Sequence, residues 1–164
     1  MLKTMLLVLV VVGAIFVGLS INNYYVKRKN FFNELNKFLE YLKMQIQFQK
    51  SKLRQVVSEY KKQSLDSNFT DFLSAFEKYL SCLGEGCTFD FDVNFLKPEE
   101  KVTLLRLFTS IGRFHSAGEY SNITNAIGEV RAFYDSALEK QRKFGLVSVK
   151  LSIACGLLIV LIIV

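Results

Sequence analysis

Few residues in this chain have the types and spacing that catalysis or metal binding requires. The only histidine is His115, and the cysteines are Cys82, Cys87 and Cys155. A catalytic triad would have to be built on His115, but a histidine near a helix end more often interacts with the terminal carbonyl groups. A metal site needs more ligands than Cys82 and Cys87, and His115 is distant from them in sequence. The cysteines therefore fit the packing of reduced thiols better than a metal site.

The acidic residues and short motifs also give no sign of an active site. Glu99 and Glu100 are adjacent, so on a helix they would point to different sides instead of converging on one substrate. The sequence contains no G-x-x-x-x-G-K-[ST] phosphate loop, no G-x-S-x-G nucleophile turn and no H-E-x-x-H zinc helix. We therefore predict that the chain is not an enzyme and has no catalytic, cofactor-binding or metal-binding residues.

Charged side chains are confined almost entirely to the middle of the chain, because residues 4–26 and 151–164 contain none. The first run has the roughly 20 residues that a helical membrane span needs. The second run becomes long enough if its helix begins at Phe144, which places Lys150 inside it. That ammonium group would extend to the headgroups, or else face a partner helix or a wet cavity. We predict transmembrane segments over residues 1–26 and 144–164.

Basic residues flank the inner end of each apolar segment. Lys27-Arg28-Lys29 follows the first segment, and Lys140, Arg142 and Lys143 precede the second. The positive-inside rule then predicts a two-pass protein of the cell membrane, with residues 27–143 as a cytoplasmic domain. The alternative is a leader cleaved after Ser20, with the second segment as a tail anchor. That arrangement would invert the topology.

The formal net charge of +6 is explained by these flanking residues. Basic residues beside membrane spans contact anionic lipid, so membrane lipid is an expected partner. No nucleic-acid-binding motif accompanies them, and we predict no nucleic-acid partner. Each apolar segment also has one pair of small residues four apart, Ala14/Gly18 and Ser152/Gly156. Such pairs allow either the pairing of the two spans or formation of a homo-oligomer.

The middle of the chain is predicted to be an all-α bundle of about four helices, flanked by the N- and C-terminal transmembrane helices. Apolar residues recur at helical spacing from about Phe31 to Lys62, with no breaker after the first span, and again over residues 69–83. A third helix is predicted to start at Pro98 and to stop at Gly118, with a buried face formed by Val102, Leu105, Phe108/Ile111 and His115. A final helix continues into the second span. The phenylalanines are predicted to form the core.

Two stretches of the chain resemble a known family. One is Leu42-x-x-Gln45-Ile46-x-Phe48 followed by Leu53, and the other is Leu96-Lys97…Glu100…Leu107-x-x-x-Ile111-Gly112. In these stretches, and in the order of span, helical domain and span, the chain resembles the stage III sporulation protein AB family of spore-forming bacteria. It departs from that pattern at Lys43 and Gln45, where the family tends to have acidic residues, and at Lys52, where it tends to have proline.

The resemblance implies a non-enzymatic platform protein, similar to the inner-membrane platform of type II secretion and type IV pilus machines. The implied partners are a secretion-type ATPase and other sporulation channel proteins, in the mother-cell membrane around the forespore. The candidate partner-binding residues are the charges of the matched stretch, Glu100, Arg106 and Arg113, which we expect to be exposed. Gly112 would allow close approach. The alternative function is a membrane-tethered helical scaffold or stalk protein of another membrane complex.

Overall fold

The computed structural model describes residues 2–48, 53–82, 88–111 and 116–163, and the regular structure of these residues is entirely helical. The helices are α1 (Leu2–Phe48), α2 (Leu53–Gln63), α3 (Ser67–Ser81), α4 (Pro98–Ser110), α5 (Ser116–Lys140) and α6 (Leu146–Ile163), and a π-helical turn, Gln141–Gly145, joins α5 to α6. The predicted all-α fold is confirmed. The chain forms two compact units: a bundle unit, Asn30–Asp135, and an apolar unit of Met1–Lys29 and Ser136–Val164.

Phenylalanine rings form the core of the bundle unit, as the sequence predicts. Phe108 of α4 lies 4.9 Å from Phe72 and 4.8 Å from Phe76 of α3, measured between ring centroids. Both ring pairs are nearly perpendicular, which is a favourable edge-to-face arrangement. The buried phenylalanines of this unit include Phe31, Phe32, Phe38, Phe69, Phe72, Phe76, Phe89, Phe91, Phe95 and Phe108.

Helix α2 packs back alongside α1 instead of continuing it. The ring of Tyr60 lies 5.2 Å from Phe38 and 5.4 Å from Tyr41. In one straight helix, residues 38 and 60 would be about 33 Å apart. The prediction of a single helix from Phe31 to Lys62 is therefore wrong. Folding back lets the apolar faces of α1 and α2 pack against the same core; residues 49–52, between the two helices in sequence, lie outside the described residues.

An extended segment, residues 88–93, leads into a turn at residues 94–96, and together they cover part of the core without forming a strand. The side chains of the extended segment alternate between buried and exposed, as extended backbone requires. The ring of Phe89 lies 5.6 Å from Phe76. The brief alternation in the sequence thus serves to place several apolar side chains on the core from one short segment. The buried residues are Phe89, Phe91, Val93 and Phe95, followed by Leu96.

Helix α4 begins at Pro98, and Phe108 and Ile111 are buried as predicted, but Val102 does not lie on the buried face and Leu105 is only partly buried. Leu104 is fully buried, whereas Val102 is 65% exposed. Leu104 lies one helical turn before Phe108 and therefore shares its face, while Val102 lies six residues away on the other side. The helix also ends at Ser110, and Gly118 lies within α5. The predicted stop at Gly118 is therefore wrong.

The N-terminal part of α1 and helix α6 form an antiparallel pair in the apolar unit. A Cβ atom on Gly18 would lie 3.0 Å from Ser152 Cβ and 3.0 Å from Val149 Cα. A Cβ atom on Gly156 would lie 2.9 Å from Ala14 Cβ. The absence of side chains at these positions lets the helices approach closely. The sequence allows these small-residue pairs either to join the two spans or to form a homo-oligomer. In the structure they meet within one chain.

The π-helical turn ends where α1 comes close to the beginning of α6. Gly145 is buried, and a Cβ atom there would lie 2.6 Å from Asn22 Oδ1. Among the described residues this buried oxygen accepts no conventional hydrogen bond. It faces the hydrogen that Gly145 has in place of a side chain, which is the arrangement of a weak Cα–H···O contact. A side chain at position 145 would therefore require the Asn22 side chain to move.

The outward faces of the apolar unit are large and hydrophobic. Among the described residues outside that unit, the exposed large hydrophobic side chains are Met44, Leu65, Val102 and Tyr120; the rest lie on α1 before residue 30 or on residues 144–162. An apolar surface of this extent is typical of contact with lipid or protein. Two helical stretches are long and apolar enough to cross a membrane, and they fit a membrane protein. Lys150 is exposed.

The buried face of α4 can be tested by two substitutions. We expect Leu104→Ala to lower the free energy of unfolding by about 2–5 kcal/mol, because it opens a cavity beside Phe108. We expect Val102→Ala to change it by less than about 0.5 kcal/mol, since Val102 is mostly exposed. Urea unfolding of the full chain in detergent micelles, followed by tyrosine fluorescence, measures both. A larger loss of stability for Val102→Ala than for Leu104→Ala would mean that Val102 is buried, as the sequence predicts.

The helix pair of the apolar unit has a matched control in the same helix. We expect Gly18→Leu to lower the thermal unfolding temperature of the full chain in detergent, because the new side chain would collide with α6. Gly13→Leu should have little effect, since a Cβ atom on Gly13 meets nothing within 4 Å. Circular dichroism at increasing temperature compares the two variants. Equal effects at positions 13 and 18 would contradict this packing.

Candidate partner-binding surface

Arg106 is the predicted partner-binding residue that the structure places on the surface. It lies on α4, and its Nη2 atom donates hydrogen bonds to both carboxylate oxygens of Glu129 on α5, at 3.1 and 2.8 Å. The Arg106 side chain is 68% exposed and that of Glu129 is 41% exposed. An exposed ion pair contributes at most about 1 kcal/mol to stability. A partner could therefore displace Glu129 from Arg106 at little cost to the fold.

Glu100 is not the exposed contact that the sequence predicts. Only 3% of the residue is exposed. Its Oε2 atom accepts a hydrogen bond of 2.9 Å from the backbone N–H of Lys97, just before Pro98 begins α4. That N–H lies at the helix start, where backbone donors have no acceptor within the helix. The prediction of an exposed Glu100 is therefore wrong, and its carboxylate fixes the beginning of α4.

The other two predicted partner-binding residues, Gly112 and Arg113, lie outside the described residues, as do Cys87 and His115. The described cysteines, Cys82 and Cys155, are free thiols. Among the residues that the structure describes, no group of three His, Cys, Asp or Glu side chains could hold a metal ion. Of the predicted partner-binding residues, Arg106 alone is both described and exposed.

Sequence reasoning missed a cleft on the bundle unit, between α1, α2 and the turn that leads to α3. Its volume is about 580 Å³. Leu65 in this turn is fully exposed. It precedes Asp66, whose side chain accepts hydrogen bonds from the backbone N–H groups of Asn68 and Phe69 and so caps α3. The residues that line the cleft are Asn30, Asn33, Glu34, Lys37, Tyr60, Gln63, Ser64, Leu65 and Asp66.

The only strong indication of this cleft in the sequence is the turn before α3, which contains Leu65. A hydrophobic residue just before a helix cap often packs against the fourth helical residue. That residue of α3 is Thr70, which is polar, so the α3 start offers Leu65 no apolar partner. The other residues of the cleft come together only because α2 folds back on α1. The pattern of any single helix therefore cannot reveal it.

Glu34 and Tyr60 dominate the electrostatics of the cleft. Burial of the Tyr60 phenol, the negative charge of Glu34 and a hydrogen bond to that carboxylate raise the pKa of Tyr60 to about 12. Lys37 Nζ donates a hydrogen bond of 2.8 Å to Glu34 Oε1. Glu34 therefore accepts from both an ammonium group and a phenol, and the cleft holds a fixed polar arrangement.

The pKa of Tyr60 gives a pH-dependent prediction. In the unfolded chain this phenol ionises near its ordinary pKa of 10.0, whereas in the folded chain it stays protonated up to about pH 12. The unfolded state therefore binds fewer protons between these values, and Tyr60 makes stability fall as the pH rises through this window. We expect the stability of the Tyr60→Phe variant to decrease less over this pH range than the stability of the wild-type chain. Urea unfolding at a series of pH values, beside the control Tyr24→Phe, measures the difference; identical profiles for wild type and Tyr60→Phe would contradict it.

Comparison with known proteins identifies one family that this chain matches. The model of one family, stage III sporulation protein AB, matches residues 3–164. No curated protein and no solved structure matches the chain. The family match includes both apolar helices, the bundle unit and the stretch from Leu96 to Gly112. Since it extends over essentially the whole chain, this protein belongs to the stage III sporulation protein AB family.

Proposed function

We propose that this stage III sporulation protein is a non-enzymatic membrane platform that couples a secretion-type ATPase to the membrane channel components between mother cell and forespore. The observation that carries the proposal is the continuity of α1. This helix runs from Leu2 to Phe48, so its first part belongs to the apolar unit and its second part to the core of the bundle unit. A partner that moves the bundle unit therefore acts on a helix that continues into the membrane.

The other end of the bundle unit supports the same role. Helix α5 is followed directly by the π-helical turn Gln141–Gly145 and then by α6. Every residue between the bundle and the second apolar helix is therefore helical. A π-helical turn is a local irregularity that often marks a functional position in a helix. Here it lies where α5 continues into α6, so it is a natural point for the helix to adjust when a partner binds.

For the topology, we propose two membrane passes with the bundle unit in the mother-cell cytoplasm. The support is the distribution of charge at the inner ends of the apolar helices. Lys27, Arg28 and Lys29 follow the first apolar stretch, and Lys140, Arg142 and Lys143 precede the second. Basic residues on the inner side of both spans are typical of this orientation. It places the bundle unit where an ATPase has access to ATP.

For the ATPase-binding surface, we propose the exposed ridge formed by Arg106 and Glu129. The family resemblance draws attention to this stretch of α4, and the geometry shows that Arg106 is accessible. Its guanidinium group is planar and has five N–H donors, so it suits recognition of a carboxylate on a partner. Because Glu129 already holds it in place, Arg106 is presented in a defined orientation.

Charge reversal and charge exchange can separate a partner contact from a structural role. We expect Arg106→Glu to reduce co-purification of the ATPase by about tenfold or more, because a buried charge contact across an interface is worth at least about 1.4 kcal/mol. The double variant Arg106→Glu with Glu129→Arg restores an ion pair within the bundle but leaves the partner facing the wrong charge. It should therefore stay deficient in binding.

The control is Arg131→Glu, an exposed residue of α5 with the same change of charge. It should leave ATPase binding unchanged. Recovery of binding in the double variant would show that the ion pair only maintains the structure. Unchanged binding of Arg106→Glu would place the ATPase-binding surface elsewhere, and the polar cleft around Tyr60 would be the next surface to test.

A further inference from the structure

The positive charge of the chain is concentrated in the apolar unit. Eight of the 21 Lys and Arg residues belong to that unit, but only one of the 15 Asp and Glu residues, Glu139. Residues 30–135 hold the remaining 13 basic and 14 acidic side chains. The formal charge is thus +7 for the apolar unit and −1 for the bundle unit. The net charge of +6 therefore originates entirely in the apolar unit, whose outward faces are hydrophobic.

A contact between two aromatic rings places basic residues of α1 and of the π-helical turn at a similar depth along the helix axes. Tyr25 of α1 stacks on Phe144 of the π-helical turn, with centroids 6.2 Å apart and planes 26° apart. Lys27 follows Tyr25 by two residues, and Arg142 precedes Phe144 by two residues. In antiparallel helices both steps lead about 3 Å in the same direction along the axis. Lys27 and Arg142, which are both exposed, therefore lie at similar depth just beyond the aromatic pair.

Aromatic side chains lie between these cations and the apolar surface. Tyr24 is 42% exposed and Phe144 is 52% exposed. The ring of Tyr24 also contacts that of Tyr25 edge to face, at 5.4 Å. Tyrosine at this position, between an apolar surface and a basic one, is typical of the headgroup level of a membrane. The order of apolar, aromatic and basic side chains along the helix axis matches the layers of one leaflet.

The one acidic residue of the apolar unit is already engaged. Glu139 Oε1 accepts a hydrogen bond of 2.6 Å from Lys143 Nζ, and this ammonium group lowers the pKa of Glu139. Lys143 is therefore neutralised within the chain. No such acidic neighbour belongs to the unit for Lys27 or Arg142, because the unit has no other Asp or Glu. Both residues are exposed, so their charges are accessible to headgroups at this level.

We propose that Tyr24, Tyr25, Lys27, Arg142 and Phe144 form a collar that binds the headgroup phosphates of anionic phospholipids in preference to neutral lipids. The proposal rests on the membrane insertion included in the proposed function. The arginine guanidinium can form two parallel hydrogen bonds with a phosphate, and the lysine adds a compact charge. Each basic residue near an anionic membrane surface strengthens binding about fivefold. Two exposed cations at one level therefore give a preference that can be measured.

The test uses the full chain in nanodiscs of phosphatidylcholine that contain a minor fraction of phosphatidylglycerol. Native mass spectrometry after release from the nanodiscs measures how much of each lipid remains bound. We expect phosphatidylglycerol to be enriched on the wild-type chain, and the variant Lys27→Gln with Arg142→Gln to lose this enrichment by about tenfold or more. The control is Lys62→Gln with Arg131→Gln, which removes the same charge from exposed positions of the bundle unit and should retain the enrichment.

Two further measurements identify the source of the phosphate and the role of charge. Inorganic phosphate added to the released complex should not displace the bound phosphatidylglycerol; displacement would overturn a site for membrane lipid. Lys27→Arg with Arg142→Lys keeps both charges and should retain most of the enrichment, whereas its complete loss would overturn recognition by charge.

Failure of this inference can be distinguished from failure of the proposed function. A chain that does not enter nanodiscs would overturn both, because neither applies to a protein outside the membrane. A chain that enters nanodiscs but retains both lipids in the proportions supplied would overturn only the collar. The collar alone would also be overturned if the variant Lys27→Gln with Arg142→Gln retained as much phosphatidylglycerol as the wild-type chain.

Discussion

The contact of Phe108 with Phe72 and Phe76 determines the arrangement of the bundle unit around it. Because Phe108 must point to these two rings, the rotation of α4 about its own axis is fixed. Leu104 is then buried, while Arg106 is directed outward, where it meets Glu129 of α5. The same rings also contact Phe89 of the extended segment. The exposure of Arg106, on which the proposed partner-binding surface depends, is therefore a consequence of how the aromatic core is packed.

Small side chains have the corresponding role in the apolar unit. Gly18 and Gly156 let α1 and α6 approach so closely that a Cβ atom at these positions would lie only 3.0 and 2.9 Å from a Cβ atom of the other helix. Without a hydrophobic driving force inside a membrane, helices associate through such close packing and through weak polar contacts. The packing fixes the register of the two helices, and that register brings Tyr25 against Phe144. The level of the basic residues thus depends on Gly18 and Gly156, which are more than a helical turn away from them.

The parts of the fold that depend on local sequence could be predicted from it. Pro98 and the acidic residues after it mark the beginning of α4, and the phenylalanine spacing of α3 identifies its buried face. The parts that depend on contacts between distant residues could not be predicted. Nothing near Val102 shows that Phe108 will turn that residue outward. Glu100 has the charge of a surface residue, but the packing of α4 buries it and gives its carboxylate a backbone partner.

If the proposed partners bind, the separation of charge between the two units means that each unit would bind its partner in a different way. With 13 basic and 14 acidic side chains, the bundle unit has almost no net charge, so it exerts little long-range attraction on a partner. Recognition there must depend on local groups, such as an arginine that can exchange one carboxylate for another. The apolar unit has the opposite character, because its cations greatly outnumber its single acid. A surface of anionic headgroups compensates such a charge at any position along it, so the apolar unit can hold its level in the membrane without a specific protein partner.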